Sequence, residues 1–335
     1  MVSMTRRVIA PAALLAASAL VLAGCAGSAT PAASDGGPVQ VVASTNVYGD
    51  IAAAIGGDHV EVTSIIDSLS QDPHSYEASA KDQLTVSRAG LIIENGGGYD
   101  AFLDGLVEAT GTEAPVVTAV EYSHDYPDNE GHDDHDHADD DAHTDAADDH
   151  GDDHAGHDHI EGFNEHVWYD PHTIAHVAEE IAHELSEIDP ANAADYQAGY
   201  ETFAAGVADL ESSLEQLATA HAGAKIFVTE PVPLYLTAAA GLANVTPDAF
   251  SEAVEEGQDV PPATLLEALN LLAAGDVSTV IVNAQTGGAE TTEVTTAAED
   301  AGIPVLEFTE LIPDGETYLT WMQANIADLA GTLTR

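Results

Sequence analysis

The 335-residue chain has a single cysteine, Cys25, and only six lysines and arginines. A lone cysteine cannot close an internal disulfide, and it excludes a structural zinc site built on thiolates. Set against 59 aspartates and glutamates, six basic residues leave a formal charge of -53. That charge repels nucleic-acid phosphates and anionic headgroups and gathers cations instead, so a nucleic-acid role is excluded. The chain also lacks an HExxH motif, GxGxxG spacing and a P-loop lysine. Gly96-Gly97-Gly98 therefore reads as a turn rather than a phosphate loop.

What the chain has in excess is histidine set among aspartates. His124, His132, His135, His137, His143, His150, His154, His157 and His159 fall between residues 124 and 159, with almost no apolar side chain. Such a segment cannot offset the entropy of ordering its backbone, so a disordered, solvated loop is expected. Imidazoles are common metal ligands and carboxylates draw cations in, which makes the loop a low-affinity metal collector in expectation.

Arg6 and Arg7 precede an apolar, alanine-rich run over residues 8–23, long enough for a signal-peptide core and short for a membrane span. It ends in Leu22-Ala23-Gly24-Cys25, which resembles a bacterial lipobox. The resemblance implies cleavage before Cys25 and a diacylglycerol on its sulfur. Residues 1–24 are the expected signal peptide and 25–38 a flexible tether rich in small residues and proline. The remainder is expected to be extracytoplasmic, lipid-anchored to the outer face of the cytoplasmic membrane.

With 45% hydrophobic residues the chain can bury a sizeable core. β-branched runs at 39–44, 60–66, 91–94 and 116–117 alternate with helical patterns, the signature of parallel βαβ units. The alternation resumes with strands at 225–229, 279–283 and 304–308 and helices at 262–274, 290–301 and 317–333. The expected fold is α/β, with two lobes, each a mainly parallel sheet flanked by helices: residues 39–188, which include the loop, and residues 223–335. Between them, over 189–222, Asp189 is expected to cap a helix starting at Pro190. Tyr196, Tyr200, Phe203, Val207, Leu210, Leu214 and Leu217 recur at spacings of four and three and share one stripe. At 1.5 Å per residue this rod is roughly 45 Å long, enough to link both lobes rigidly. Gly199 and Gly206 weigh slightly against it.

Two histidines stand in the loops that open α/β sheets use for ligands. His74 lies in Asp72-Pro73-His74-Ser75-Tyr76-Glu77, after the strand at 60–66 and before a helix near residue 78. His166 lies in Glu165-His166-Val167-Trp168-Tyr169-Asp170-Pro171, before a helix running to about 188. His172 and His176 fit the solvated face of that helix, and His59, His183 and His221 read as surface residues.

With the long helix and Gly302-Ile303-Pro304-Val305, these motifs resemble the metal-specific solute-binding lipoproteins of bacterial ABC importers for zinc and manganese, the cluster A-I (cluster 9) proteins. The resemblance implies metal ligands His74 and His166. It also implies Glu230, after the first strand of the second lobe, and Glu310, in Phe308-Thr309-Glu310, with Glu307 as a competitor for the last place. Zinc members of the family carry histidine at the third position and manganese members glutamate, so Glu230 points to manganese. The loop and the Irving-Williams order point to zinc, which is the first expectation, with manganese the alternative.

The partners implied are an ABC permease and its ATPase, and a monomer is expected. A surface metal buffer or adhesin is an alternative function. A metallohydrolase is disfavoured, because four protein ligands would leave no open position on the metal.

Overall fold

The computed structural model describes residues 37–127, 160 and 162–333. The expected signal peptide, Cys25, most of the tether and every loop histidine except His124 lie outside the described residues. The first half runs β1 (Val39–Thr45), α1 (Asn46–Gly56), β2 (Val60–Ile66), α2 (Ala80–Val86), β3 (Leu91–Glu94), α3 (Ala101–Thr110) and β4 (Val116–Thr118). Two helices follow, α4 (Pro171–Ile188) and α5 (Ala193–His221). The second half runs β5 (Lys225–Val228), α6 (Leu234–Ala239), β6 (Ala243–Asn244), α7 (Asp248–Glu255), α8 (Pro262–Ala273), β7 (Val277–Asn283), α9 (Ala289–Asp300), β8 (Val305–Phe308) and α10 (Tyr318–Leu333).

Two four-stranded sheets result, ordered β2-β1-β3-β4 and β6-β5-β7-β8, and every strand pairing in them is parallel. The same winding is thus used twice. Burial follows strand position. The interior strands β1 and β3 are almost wholly buried, and their sequences are near-continuous apolar runs. Edge strand β2 alternates half-buried with exposed residues before its buried Ile65–Ile66 end. Strand β6 is only two residues long, too short for a hydrophobic pattern to mark it.

The helical link is as long as expected but starts later. Its first residue is Ala193, after Asn192, and Pro190 sits in the turn rather than at the helix start. Asp189 closes α4 instead, its backbone N–H donating to Leu185 O, while its carboxylate accepts from Asn192 Nδ2 (2.6 Å) and Tyr196 Oη (3.1 Å). That turn lets α5 pack along α4. The stripe on α5 is buried, with Tyr200 half-buried. The helix packs on α1 and α4 of the first half and on α6 and α10 of the second. One apolar core therefore runs through both halves, joining Val41 and Ile93 of the first sheet to Ile226 and Ile281 of the second.

Gly199 and Gly206 are there for room. A Cβ at Gly199 would strike the Ile55 carbonyl, with the carbonyl carbon at 2.9 Å, where α1 ends against α5. At Gly206 it would meet only the flexible end of Leu319. Gly199→Ala is expected to destabilise the fold by about 1–3 kcal/mol, the usual cost of overpacking a close contact, because backbone cannot rotate aside. The denaturation midpoint measures this, and an unchanged midpoint rejects it. Among the described residues, no helix is long and apolar enough to cross a membrane.

Candidate metal site

The carboxyl ends of the two sheets meet at one cleft. His74 stands in the short turn Pro73–Ser75 beyond β2, held by Asp72, whose carboxylate accepts from His74 N (3.0 Å) and Ser75 Oγ (2.8 Å). Glu230 comes two residues after β5 and Glu310 two residues after β8. His166 precedes the turn Val167–Tyr169, after which Asp170 caps α4: its side chain accepts from His172 N and Thr173 Oγ1, and Pro171 takes the first helical position. The Asp-Pro of that motif is thus a helix start.

Of the four expected ligands, His74 lies near both His166 and Glu310, and Glu230 is tied to Glu310 through Asn283. The His74 and His166 rings lie 5.9 Å apart, and His74 Nε2 is 4.0 Å from Glu310 Oε2. Asn283, the last residue of β7, donates from one Nδ2 to both Glu230 Oε2 (2.9 Å) and Glu310 Oε1 (2.6 Å). Tyr99 Oη donates to Glu310 Oε2 (3.0 Å), and Thr286 Oγ1 donates to Glu230 Oε1. Glu307 sits on the exposed side of β8, whereas Glu310 is buried.

The His166 Nδ1 atom lies 2.7 Å from Asn164 Oδ1, an acceptor, which keeps the proton on Nδ1 and leaves Nε2 as the electron-pair donor. Asn164 is itself fixed across the cleft, donating from Nδ2 to Pro231 O and accepting at its carbonyl from Tyr235 Oη. Tyr99 packs edge-on against His74 (4.8 Å) and close to Trp168 (4.6 Å). The glycine turn that places Tyr99 has positive φ at Gly96, Gly97 and Gly98 (79°, 67° and 92°), so the expected turn exists and serves the site.

Charge decides what this cleft can hold. Glu165, Glu230 and Glu310 are buried, and Glu255 Oε1 lies 3.9 Å from His166 Nδ1. The described basic residues Lys81, Arg88 and Lys225 are all exposed, so none supplies a buried counter-charge. Burial first, and Glu230 beside it, push the Glu310 carboxyl up to about 8 despite the hydrogen bonds from Asn283 and Tyr99. Glu230 is raised by burial against its bonds from Thr286 and Asn283. Glu255 is raised by burial and by Glu165, Glu230 and Glu310. Buried carboxylates without a basic partner are held neutral by protons or ionised by a metal ion.

Glu165 and Glu255 are the site residues that sequence reasoning missed. Glu165 stands beside His166 but carries no motif of its own. Glu255 ends α7, far along the chain, with nothing local to mark it. Elsewhere His172 and His176 are exposed neighbours, their rings 4.9 Å apart. His59 is more engaged than expected, its Nε2 3.1 Å from Asp195 Oδ2, because α1 and α5 meet there. His124 is exposed, with Nδ1 3.8 Å from Asp170 Oδ2 at the base of α4.

Residues 41–332 match the family described as ZnuA, zinc-uptake complex component A, periplasmic. The chain is 24% identical over 325 residues to the manganese-binding lipoprotein MntA of Halalkalibacterium halodurans, covering 95% of this chain and 96% of that one. It is 26% identical over 337 residues to the manganese ABC transporter substrate-binding lipoprotein PsaA of Streptococcus mitis, with the same coverage. Its fold is similar to that of the periplasmic zinc-binding protein TroA from Treponema pallidum, with a TM-score of 0.67 at 16% identity over 89% of this chain and all of that one. By this match over nearly the whole described chain, the protein belongs to the family of zinc-uptake component A, the metal-binding solute-binding proteins of ABC importers.

Proposed function

We propose that the protein captures one divalent transition-metal ion between His74, His166, Glu230 and Glu310 and delivers it to a membrane permease driven by an ABC ATPase. The observation that supports this is the convergence of two imidazoles and two buried carboxylates, one pair from each half, with no buried lysine or arginine among the described residues. Family membership makes the chain an extracytoplasmic binding protein rather than an enzyme. The lipid anchor at Cys25, the monomeric state and the boundaries of the two lobes belong to the proposal. The helix α5, packed on both halves, limits hinge closure, so that metal orders the loops around the cleft more than it moves the halves.

The cleft and the loop speak for different metals. Glutamate carboxylates suit manganese, and the two sequence relatives named above carry manganese in their names, whereas TroA is named for zinc. The imidazole-rich segment 124–159 and the family description favour zinc. The cleft's cargo is manganese on this reading, with zinc the second; the loop gathers zinc weakly. Deleting residues 128–159 is expected to lower the number of bound zinc ions while one tight site remains, as counted by elemental analysis after equilibration with both metals. Loss of the tight site would place a primary ligand in the deleted segment and overturn the assignment.

A further inference from the structure

Glu165 stands where the four-ligand scheme has no use for it. Its ligand oxygen and the ring nitrogens of His74 and His166 lie within 4.8 Å of one another, and Glu165 is 3% exposed. The local backbone explains how two consecutive side chains reach one point. His166 has φ -76° and ψ 48°, and Val167 N donates to Glu165 O at 2.7 Å, an inverse γ-turn centred on His166. The bend is clamped from behind: Asn95 Nδ2 donates to Glu165 O (3.0 Å), while Asn95 Oδ1 accepts from Tyr48 Oη and Asn95 N donates to Asp100. A surface glutamate needs no such support.

We infer that Glu165 is a further metal ligand, completing with His74 and His166 a triad supplied wholly by the first half, and that it sets the cleft's preference toward manganese. The inference rests on the cleft being the metal site. Zinc is satisfied by four tetrahedral donors, which His74, His166, Glu230 and Glu310 already provide. Manganese takes about six donors, mostly oxygen, and a third carboxylate supplies what zinc does not need. Because the triad's three donors are held on one side of the cleft, they can receive the ion before the second half adds Glu230 and Glu310.

The test uses the full mature protein and Glu165→Gln, with Glu165→Asp and His74→Ala alongside. Affinities for manganese and zinc are measured separately by chelator competition, and metal-free unfolding checks that each variant folds. Glu165→Gln is expected to weaken manganese binding about tenfold or more and zinc about threefold or less, with Glu165→Asp recovering part of the manganese affinity. A glutamate that only shapes the loop would move both metals together, so an equal loss for both, or no loss for either, overturns the inference. His74→Ala separates the two failures. If it loses metal while Glu165→Gln does not, the ligand role of Glu165 alone falls; if it too keeps metal, the cleft assignment falls first.

Discussion

His74→Ala weakens tight metal binding by more than about a hundredfold, beyond the 10–100-fold that loss of an outer partner of a ligand typically costs. The reason is geometric. His74 Nε2 lies 4.0 Å from the Glu310 carboxylate, and its ring faces that of His166 across 5.9 Å. Without it the remaining imidazole and the carboxylates surround a gap on the β2 side that water must fill. The side chain is 13% exposed at the mouth of the cleft and packs edge-on against Tyr99, so its removal leaves the core on β1 and β3 intact. Unchanged metal-free unfolding, with affinity lost in chelator competition, is the expected pair of results. Wild-type affinity in the variant would remove the central assignment.

The metal-free protein loses stability as pH rises from about 5.5 to 8, and bound metal reverses the trend. Glu310 is held up to about 8 in the folded state against an ordinary carboxyl near 4.5, chiefly by burial. Between those values the folded state binds the proton more tightly than the unfolded chain does, so stability falls with pH. The contribution is complete below about 4.5 and gone above about 8. Glu94, also raised to about 8 by burial and by Asp100 and Asp104, adds to the same fall from outside the cleft.

A metal ion held at the proposed site would remove the cause at Glu310, because it binds the ionised form and releases the proton. Metal affinity therefore rises with pH over this window. At a free-metal concentration of about a thousand times Kd, binding stabilises the fold by about 4 kcal/mol, or roughly 8 °C in Tm for a chain of this size. Thermal unfolding with and without metal at both pH values measures it. Glu310→Gln, which cannot ionise, is expected to flatten the metal-free slope and to leave the share due to Glu94, Glu255 and the other raised carboxyls. A slope in Glu310→Gln equal to that of the unaltered protein would overturn the assignment of this share to Glu310.

Much of the fold is legible in the chain's local patterns. The apolar runs that form β1, β2, β3 and β7 are bounded by turn residues and separated by helical patterns, which suffices for two parallel sheets. The stripe on α5 announces a long helix because its period is local. The start of that helix is not legible in the same way, since Asp189 and Pro190 make a sound helix start by local rules. What overrides them is the packing of α5 along α4, which needs a turn at residues 189–192 and gives the Asp189 carboxylate to Asn192 and Tyr196. Gly199 reads as a weakness in the helix and is a requirement, because the residue it admits is Ile55, well over a hundred positions earlier in the chain.

The sequence by itself determined most of the elements, the loops on which the proposed metal ligands stand, and the acid and histidine character that calls for a cation. Periodicity, capping and charge are properties of neighbouring residues and survive in one dimension. Only the tertiary structure decided that Glu310 rather than Glu307 faces the cleft, that Asn283 ties Glu230 to Glu310, and that Glu165 and Glu255 join them. Those facts depend on which strand ends meet and which way each last residue points, and the burial that raises the carboxyls exists only once both halves have closed around them.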